Sequence, residues 1–188
     1  MTTVREWPMP LDGPGGVVLA VALLGSFVRS RSVQDDPIHA LIDRFRAGEA
    51  AAFAEVLRAG RAMLDRNEPL HGPQVAALVV PGHDGTRQAG LVRLVAELTV
   101  TSGWTVPDRG LLIRHAHVPE AKQRQPRDAT AELVSLRASP ATLPGTIETI
   151  LLVDDVLASG GTIRACVAAL RRDGWAGGVA ALVLARAR

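Results

Sequence analysis

Cysteine is nearly absent from this chain: Cys166 is the only one in 188 residues. A single thiol excludes an intramolecular disulfide framework and points to a reducing, cytoplasmic setting. Aromatic residues make up only 3% and tyrosine is missing altogether, so no stacking platform for single-stranded nucleic acid is visible. Long apolar runs are missing too. The longest, 17–24 with 25–28 behind it, falls short of the roughly 20 residues that span a bilayer. It has no basic segment before it, so neither a signal peptide nor a membrane partner is expected. Charge of one sign is also lacking. A net charge of +2 is too weak to argue for nucleic acid. No internal repeat and no long low-complexity segment is apparent.

What remains is an ordinary globular composition, 47% hydrophobic and 21% charged, enough for one domain with a real core. Residues 1–16, rich in Pro and Gly, read as a loose lead-in, and 17–24 as a buried strand. The polar segment 29–36 reads as a loop. Asp36 followed by Pro37 has the form of an N-cap and first helical residue, opening a helix to about Arg46. Phe53, Val56, Leu57 and Leu64 mark one face of a second helix over 49–65. From Val75 the pattern changes. The run 75–80 is a strand by length and content, and 81–85 breaks it. Leu91, Val92, Leu94, Val95 and Leu98 form a helical stripe, and 111–113 is a short strand. The basic stretch 114–137 is predicted to hold one short helix near 129–136. A strand over 149–153 follows. Ile163, Cys166, Val167 and Leu170 then lie at i, i+3, i+4 and i+7 of a helix, with Gly174 at its C′ position. A strand over 179–184 closes the chain. Repeated strand–loop–helix units argue for an α/β fold with a mostly parallel sheet flanked by helices. In such sheets ligands bind beyond the carboxyl ends of the strands, so the breaks at 81–85 and 158–161 are expected on one edge.

The informative stretch is ILLVDDVLASGGTIRACVAAL, residues 150–170. An apolar strand runs into Asp154 and Asp155. Then come Ala158, Ser159, Gly160, Gly161 and Thr162, with almost no side chain, and then the helix. Glycines let successive amides point into one concavity. The helix N-terminus adds unpaired N–H groups and partial positive charge. This composition suits a phosphate monoester, although no Walker Gly-Lys-Ser/Thr is present. The carboxylates would repel a phosphate. They suit sugar hydroxyls, or a Mg²⁺ shared with the ligand. Diol plus phosphate describes ribose 5-phosphate. The plainer reading is a polar strand end followed by a turn and a helix cap.

LLVDDVLASGGT, residues 151–162, resembles the phosphoribosyl pyrophosphate (PRPP) motif of type I phosphoribosyltransferases. One position departs from it: Ala158 replaces the first hydroxyl residue, which removes a side-chain donor and leaves the amide. The resemblance implies the fold of that family, with residues 1–70 as lead-in and a small N-terminal hood and 71–188 as the transferase core. VVPGHDG, 79–85, corresponds to the family's pyrophosphate loop, which would place Pro81, Gly82, His83 and Asp84 at pyrophosphate. A basic residue common there in other branches is missing, and His83 reads equally as a solvated loop histidine. The stretch 114–137 falls where the family carries a flexible catalytic loop. Arg114 and Arg127 would then bind pyrophosphate and Lys122 and Arg124 would serve catalysis beside Asp154 and Asp155, unless the run is simply a solvated face. LIDRFRAG, 41–48, and VLAR, 183–186, are similar to the competence-associated, ComF-like branch, although that branch's cysteine-rich zinc region is absent. The likeness covers the second half of the chain well and the first half thinly.

The implied activity is transfer of ribose 5-phosphate from PRPP, with Mg²⁺, to a nitrogen nucleophile in the cytoplasm, with a homodimer possible. The acceptor is not readable, because no motif marks the hood, and no residue stands out as a general base. Three other readings share these residues. One is a PRPP-sensing protein without turnover. Another is a DNA-uptake accessory using the basic patch of Arg114, Lys122, Arg124 and Arg127. The third is a different sugar-phosphate enzyme, indifferent to pyrophosphate.

Overall fold

A computed structural model of the chain describes residues 5–10, 17–27, 36–66, 70–107, 109–116 and 133–187. In chain order the elements are β1 (Arg5–Pro10), β2 (Val17–Ala22), β3 (Ser26–Phe27), α1 (Pro37–Arg46), α2 (Ala50–Leu64), β4 (Val75–Val79) and α3 (Ala89–Ser102), then β5 (Leu112–Arg114), β6 (Leu136–Ala138), β7 (Thr149–Leu157), α4 (Gly161–Arg172) and β8 (Gly178–Ala187). The main sheet has the order β1-β2-β8-β7-β4, with β3 beside β8. Strands β4, β7, β8 and β2 are parallel to their neighbours, and β1 is antiparallel to β2. The α/β expectation and the parallel sheet are therefore met.

Alternation along β7 explains the layering. Leu151 and Val153 belong to a core formed with Ile42, Phe45, Val56, Leu94 and Leu98 from α1, α2 and α3. Ile150 and Leu152 belong to a second core with Ile163, Cys166, Val167 and Leu170 of α4 and Leu112 and Leu136 of the small β5–β6 sheet. Successive strand residues face opposite sides, so a strand covered on both faces must be apolar throughout. That is why this run shows no polar alternation.

Local chemistry sets the helices. The Ile38 and His39 amides donate to Asp36 Oδ1 at 2.9 and 3.3 Å, and Pro37 opens α1. Gly174, at φ 101°, follows α4, and the Trp175 amide donates back to the Leu170 carbonyl at 2.8 Å. Both features match the sequence expectation. Among the described residues, no helix is long and apolar enough to cross a membrane.

Four expectations need correction. Residues 5–10 are not a lead-in: they form β1, paired from Arg5↔Ala22 to Pro10↔Val17. Pro8 and Pro10 suggested a loop, but an edge strand tolerates proline because one side of its backbone needs no partner. The helix expected near 129–136 ends earlier: Leu133 and Val134 are helical, 129–132 lie outside the described residues, and Leu136–Ala138 forms β6 against β5. The strand carrying the aspartates does not stop at Val153. It continues to Leu157, because β8 keeps supplying partners from Asp154↔Val183 to Leu157↔Arg186. The closing strand is likewise longer than predicted, Gly178–Ala187.

The β5–β6 ladder is fastened to the end of α4 by one carboxylate. Asp173 Oδ2 accepts from the Ala138 amide at 2.8 Å. Arg172 donates to both oxygens of Asp173 at 2.7 and 2.8 Å and to the Leu136 carbonyl at 2.8 Å. The Arg172 hydrogen bond is the main reason the Asp173 carboxyl is lowered to about 2. A carboxyl with a folded value below its unfolded value stabilises the fold above the unfolded value, and the effect is lost as pH falls through the folded one. The contribution of Asp173 is thus complete above roughly pH 4 and lost as pH falls toward about 2. Urea unfolding across that window is expected to show a steeper acid decline in the wild type than in Asp173→Asn.

Candidate functional site

Parallel pairing places the site. Val79 stands opposite Val153, and the Val80 amide donates to the Val153 carbonyl at 2.8 Å. The chain segments after β4 and at the end of β7 therefore emerge side by side, as the sequence predicts. Two groups of expected residues, Pro81 to Asp84 and Asp154 to Thr162, share this edge.

Asp154 and Asp155 lie within β7, both half-buried. Being consecutive in a strand, they leave opposite faces of the sheet. Asp154 is on the α4 side, and its Oδ1 accepts the Asp155 amide at 2.9 Å. Asp155 is on the α1 side, and its Oδ2 accepts from both Nε and Nη2 of Arg46 at 2.7 Å. Nη1 of Arg46 lies 3.6 Å from Asp43 Oδ1. The side chains of Arg46 and Asp155 are 42% and 21% exposed, so this pair contributes up to about 1 kcal/mol. A ligand with useful affinity can exchange it.

After Leu157 the chain turns into α4. Ala158 rests against the apolar core. Gly160 is the N-cap, left-handed at φ 74°, and no side chain caps the helix. The Gly161 amide meets Ser159 Oγ at 3.4 Å, and the Arg164 amide donates to the Gly160 carbonyl at 2.9 Å. The opening amides of an α-helix have no acceptor within the helix. Here a glycine cap leaves them with Ser159 and Thr162 as the nearby hydroxyls. These are the residues from which the phosphate cradle was expected, and the structure places them at the start of α4.

The second loop is closed on itself. The Gly82 amide donates to the Thr86 carbonyl at 2.7 Å and the Gly85 amide to the Gly82 carbonyl at 3.0 Å. Asp84 Oδ1 accepts both the Thr86 amide, at 3.0 Å, and the Thr86 hydroxyl, at 2.7 Å. The Thr86 side-chain hydrogen bond is the largest cause holding the Asp84 carboxyl below its usual range, followed by the Thr86 amide. Pro81 is buried and His83 is half-buried beside Asp84. In this conformation the amides of Gly82, Gly85 and Thr86 are engaged within the loop.

Arg114, expected at pyrophosphate, is buried in β5, and its Nη1 donates to Ser135 Oγ at 2.6 Å. Lys122, Arg124 and Arg127 lie outside the described residues. Sequence reasoning missed two arginines at this edge. Arg87 ties β4 to β5 by donating to the Val79 carbonyl at 3.0 Å and the Leu112 carbonyl at 2.6 Å. Arg46 follows buried Ile42 by four residues, so it shares that face of α1; this phase was the available signal. Among the described residues, no group of three or more His, Cys, Asp or Glu side chains could enclose a metal. A metal here would need oxygens from the ligand and water. That fits Mg²⁺, which is commonly held by one or two carboxylates plus substrate phosphates.

No protein-family model matches the chain, and no curated protein matches it.

Gly85 sets how closely the second loop approaches β5. Its φ is +84°, and an added Cβ would sit 3.0 Å from the Arg114 carbonyl oxygen. Gly85→Ala is expected to lower stability by about 1–2 kcal/mol. Gly145→Ala, where nothing lies within 4 Å, is expected to stay within about 0.5 kcal/mol. Denaturant midpoints of the two variants provide the check.

Proposed function

We propose that this chain binds PRPP with Mg²⁺ and transfers ribose 5-phosphate to a nitrogen nucleophile, releasing pyrophosphate, on a type I phosphoribosyltransferase fold of the ComF-like branch. One observation carries the reading. A parallel strand delivers two adjacent carboxylates to the sheet edge and passes, through a glycine cap, into a helix with no side-chain cap. Anion-accepting amides thus follow diol-accepting carboxylates along one short stretch of chain. The ligand class that needs both, in that order, is a pentose phosphate.

In this reading the amides and hydroxyls of 158–162 hold the 5-phosphate, with the Ala158 amide replacing a lost hydroxyl donor. Asp154 and Asp155 accept hydrogen bonds from the ribose hydroxyls or bear on Mg²⁺, which when bound offsets charge on the pyrophosphate. The nucleophile's lone pair forms a bond to C1 as the bond from C1 to the pyrophosphate oxygen breaks, and that electron pair leaves with pyrophosphate. The transition state has oxocarbenium character, as in other glycosyl transfers. The protein therefore needs positioning, stabilisation of the leaving group and exclusion of water more than it needs a reactive side chain. Lys122, Arg124 and Arg127 would supply the cover. A cytoplasmic setting agrees with the PRPP and with a chain of one cysteine.

A second reading, PRPP binding without turnover, draws on the closed loop after β4, whose engaged amides give a leaving pyrophosphate little support.

Calorimetric titration of PRPP with Mg²⁺ tests the site. The wild type is expected to bind near micromolar Kd, about 8 kcal/mol. Asp154→Asn/Asp155→Asn is expected to weaken this at least about a hundredfold, the scale of two hydrogen bonds to charged acceptors. No binding by folded wild type overturns the proposal. Pyrophosphate release with a panel of nucleobases and amines separates transfer from binding alone.

A further inference from the structure

We infer that Arg46, at the end of α1, is the residue that receives the pyrophosphate of the bound sugar phosphate, exchanging Asp155 for the ligand. The inference rests on the reading above, since it takes Asp155 as a contact of the ribose diol or its metal.

The loop after β4 carries no basic residue from Pro81 to Thr86 other than His83. Its Gly82, Gly85 and Thr86 amides are hydrogen-bonded within the loop, and it presents a carboxylate, Asp84. Arg87 grips the carbonyls of Val79 and Leu112. Arg114 is buried against Ser135. Arg46 differs from these arginines. Its side chain is 42% exposed, and its guanidinium already stands 2.7 Å from a proposed ligand-binding carboxylate.

Ligand chemistry then fixes what Arg46 meets. In PRPP the pyrophosphate is on C1, next to the C2 hydroxyl, while the 5-phosphate lies at the far side of the ring. If the 5-phosphate occupies 158–162, the hydroxyls fall at the aspartates and the C1 substituent lies beyond them. A cation that touches Asp155 from the α1 side is thus a neighbour of the pyrophosphate and remote from the 5-phosphate. When the diol or Mg²⁺ engages Asp155, the guanidinium exchanges that carboxylate, keeping the longer 3.6 Å approach to Asp43, for an anion that it can hold through two parallel N–H donors. Arg46 would so tie the N-terminal helices to the leaving group.

The test titrates three probes, Mg²⁺–pyrophosphate, ribose 5-phosphate and PRPP, into the full chain, its Arg46→Ala and Arg46→Lys variants, and Arg44→Ala. Arg44 is in the same helix turn but pairs with Glu49. Arg46→Ala is expected to weaken Mg²⁺–pyrophosphate and PRPP at least about tenfold, the usual loss for one charge-assisted hydrogen bond. Ribose 5-phosphate should change less than about twofold. Arg46→Lys should recover part of the loss and Arg44→Ala should match wild type. Because Arg46→Ala also exposes Asp155, the same substitution is made in an Asp155→Asn background, where the pyrophosphate loss should persist. Equal weakening of pyrophosphate and ribose 5-phosphate, an unchanged pyrophosphate affinity, or a loss that vanishes in the Asp155→Asn background overturns the inference and leaves the proposed function standing. Wild type that binds neither PRPP nor ribose 5-phosphate removes the function itself, and the inference with it.

Discussion

Burial of β7 on both faces is the constraint on which the rest of the molecule depends. With β4 on one side and β8 on the other, and with α1–α3 above and α4 below, no polar side chain is tolerated from Ile150 to Val153. Such groups can appear only where the covering layers end. The two aspartates begin at that limit. Because β4 runs parallel to β7 in fixed register, its own exit loop is brought to the same level. Because the link from β7 to β8 must cross back over the sheet, a helix has to start there with its amides toward the edge. Carboxylates, a second loop and a helix N-terminus thus converge from one packing requirement, before any ligand is considered.

The parts of this arrangement that local chemistry dictates were legible in the sequence. Asp36-Pro37 marked the start of α1, the stripe ending at Leu170 with Gly174 beyond it marked α4, and the apolar runs marked β4, β7 and β8. The parts decided by distant partners were not. Nothing local in Arg5–Pro10 shows that β2 is available as a partner, and its prolines argue against a strand anywhere except at an edge. Asp154 and Asp155 look like a strand's end, yet β8 pairs with Asp154 and again with Val156 and Leu157. Short β6 exists because β5 offers it a ladder. The Arg46–Asp155 ion pair joins residues 109 positions apart, so helical phase could place Arg46 at the margin of the buried face of α1 but could not name its partner.

The N-terminal segment also gains a structural meaning that its composition hid. Strands β1 and β2 lengthen the central sheet, and α1 and α2 share one core with Leu151, Val153 and Leu182. The N-terminal helices and the strands that lead to the sheet edge are therefore parts of one packed core. Phe45, stacked on Phe53 with ring centroids 6.1 Å apart, immediately precedes Arg46. The rigid aromatic anchor and the exposed cation are adjacent in sequence. The base of the Arg46 side chain thus leaves the helix beside an aromatic anchor, while its guanidinium reaches Asp155.

Charge balance at the edge follows the same logic. Two adjacent carboxylates at the rim of an apolar sheet would repel one another and lose hydration if both were left bare. The fold avoids this by giving each a different partner on a different face: the Asp155 amide for Asp154, and the Arg46 guanidinium for Asp155. The Asp155 charge is therefore balanced within the fold. In the proposed function, binding would proceed by exchange, with a diol or cation at Asp155 releasing the guanidinium toward the ligand's own negative charge. A lysine at position 46 would keep the charge but not the planar pair of donors, Nε and Nη2, that now converges on Asp155 Oδ2, so geometry as well as charge would bear on the proposed exchange.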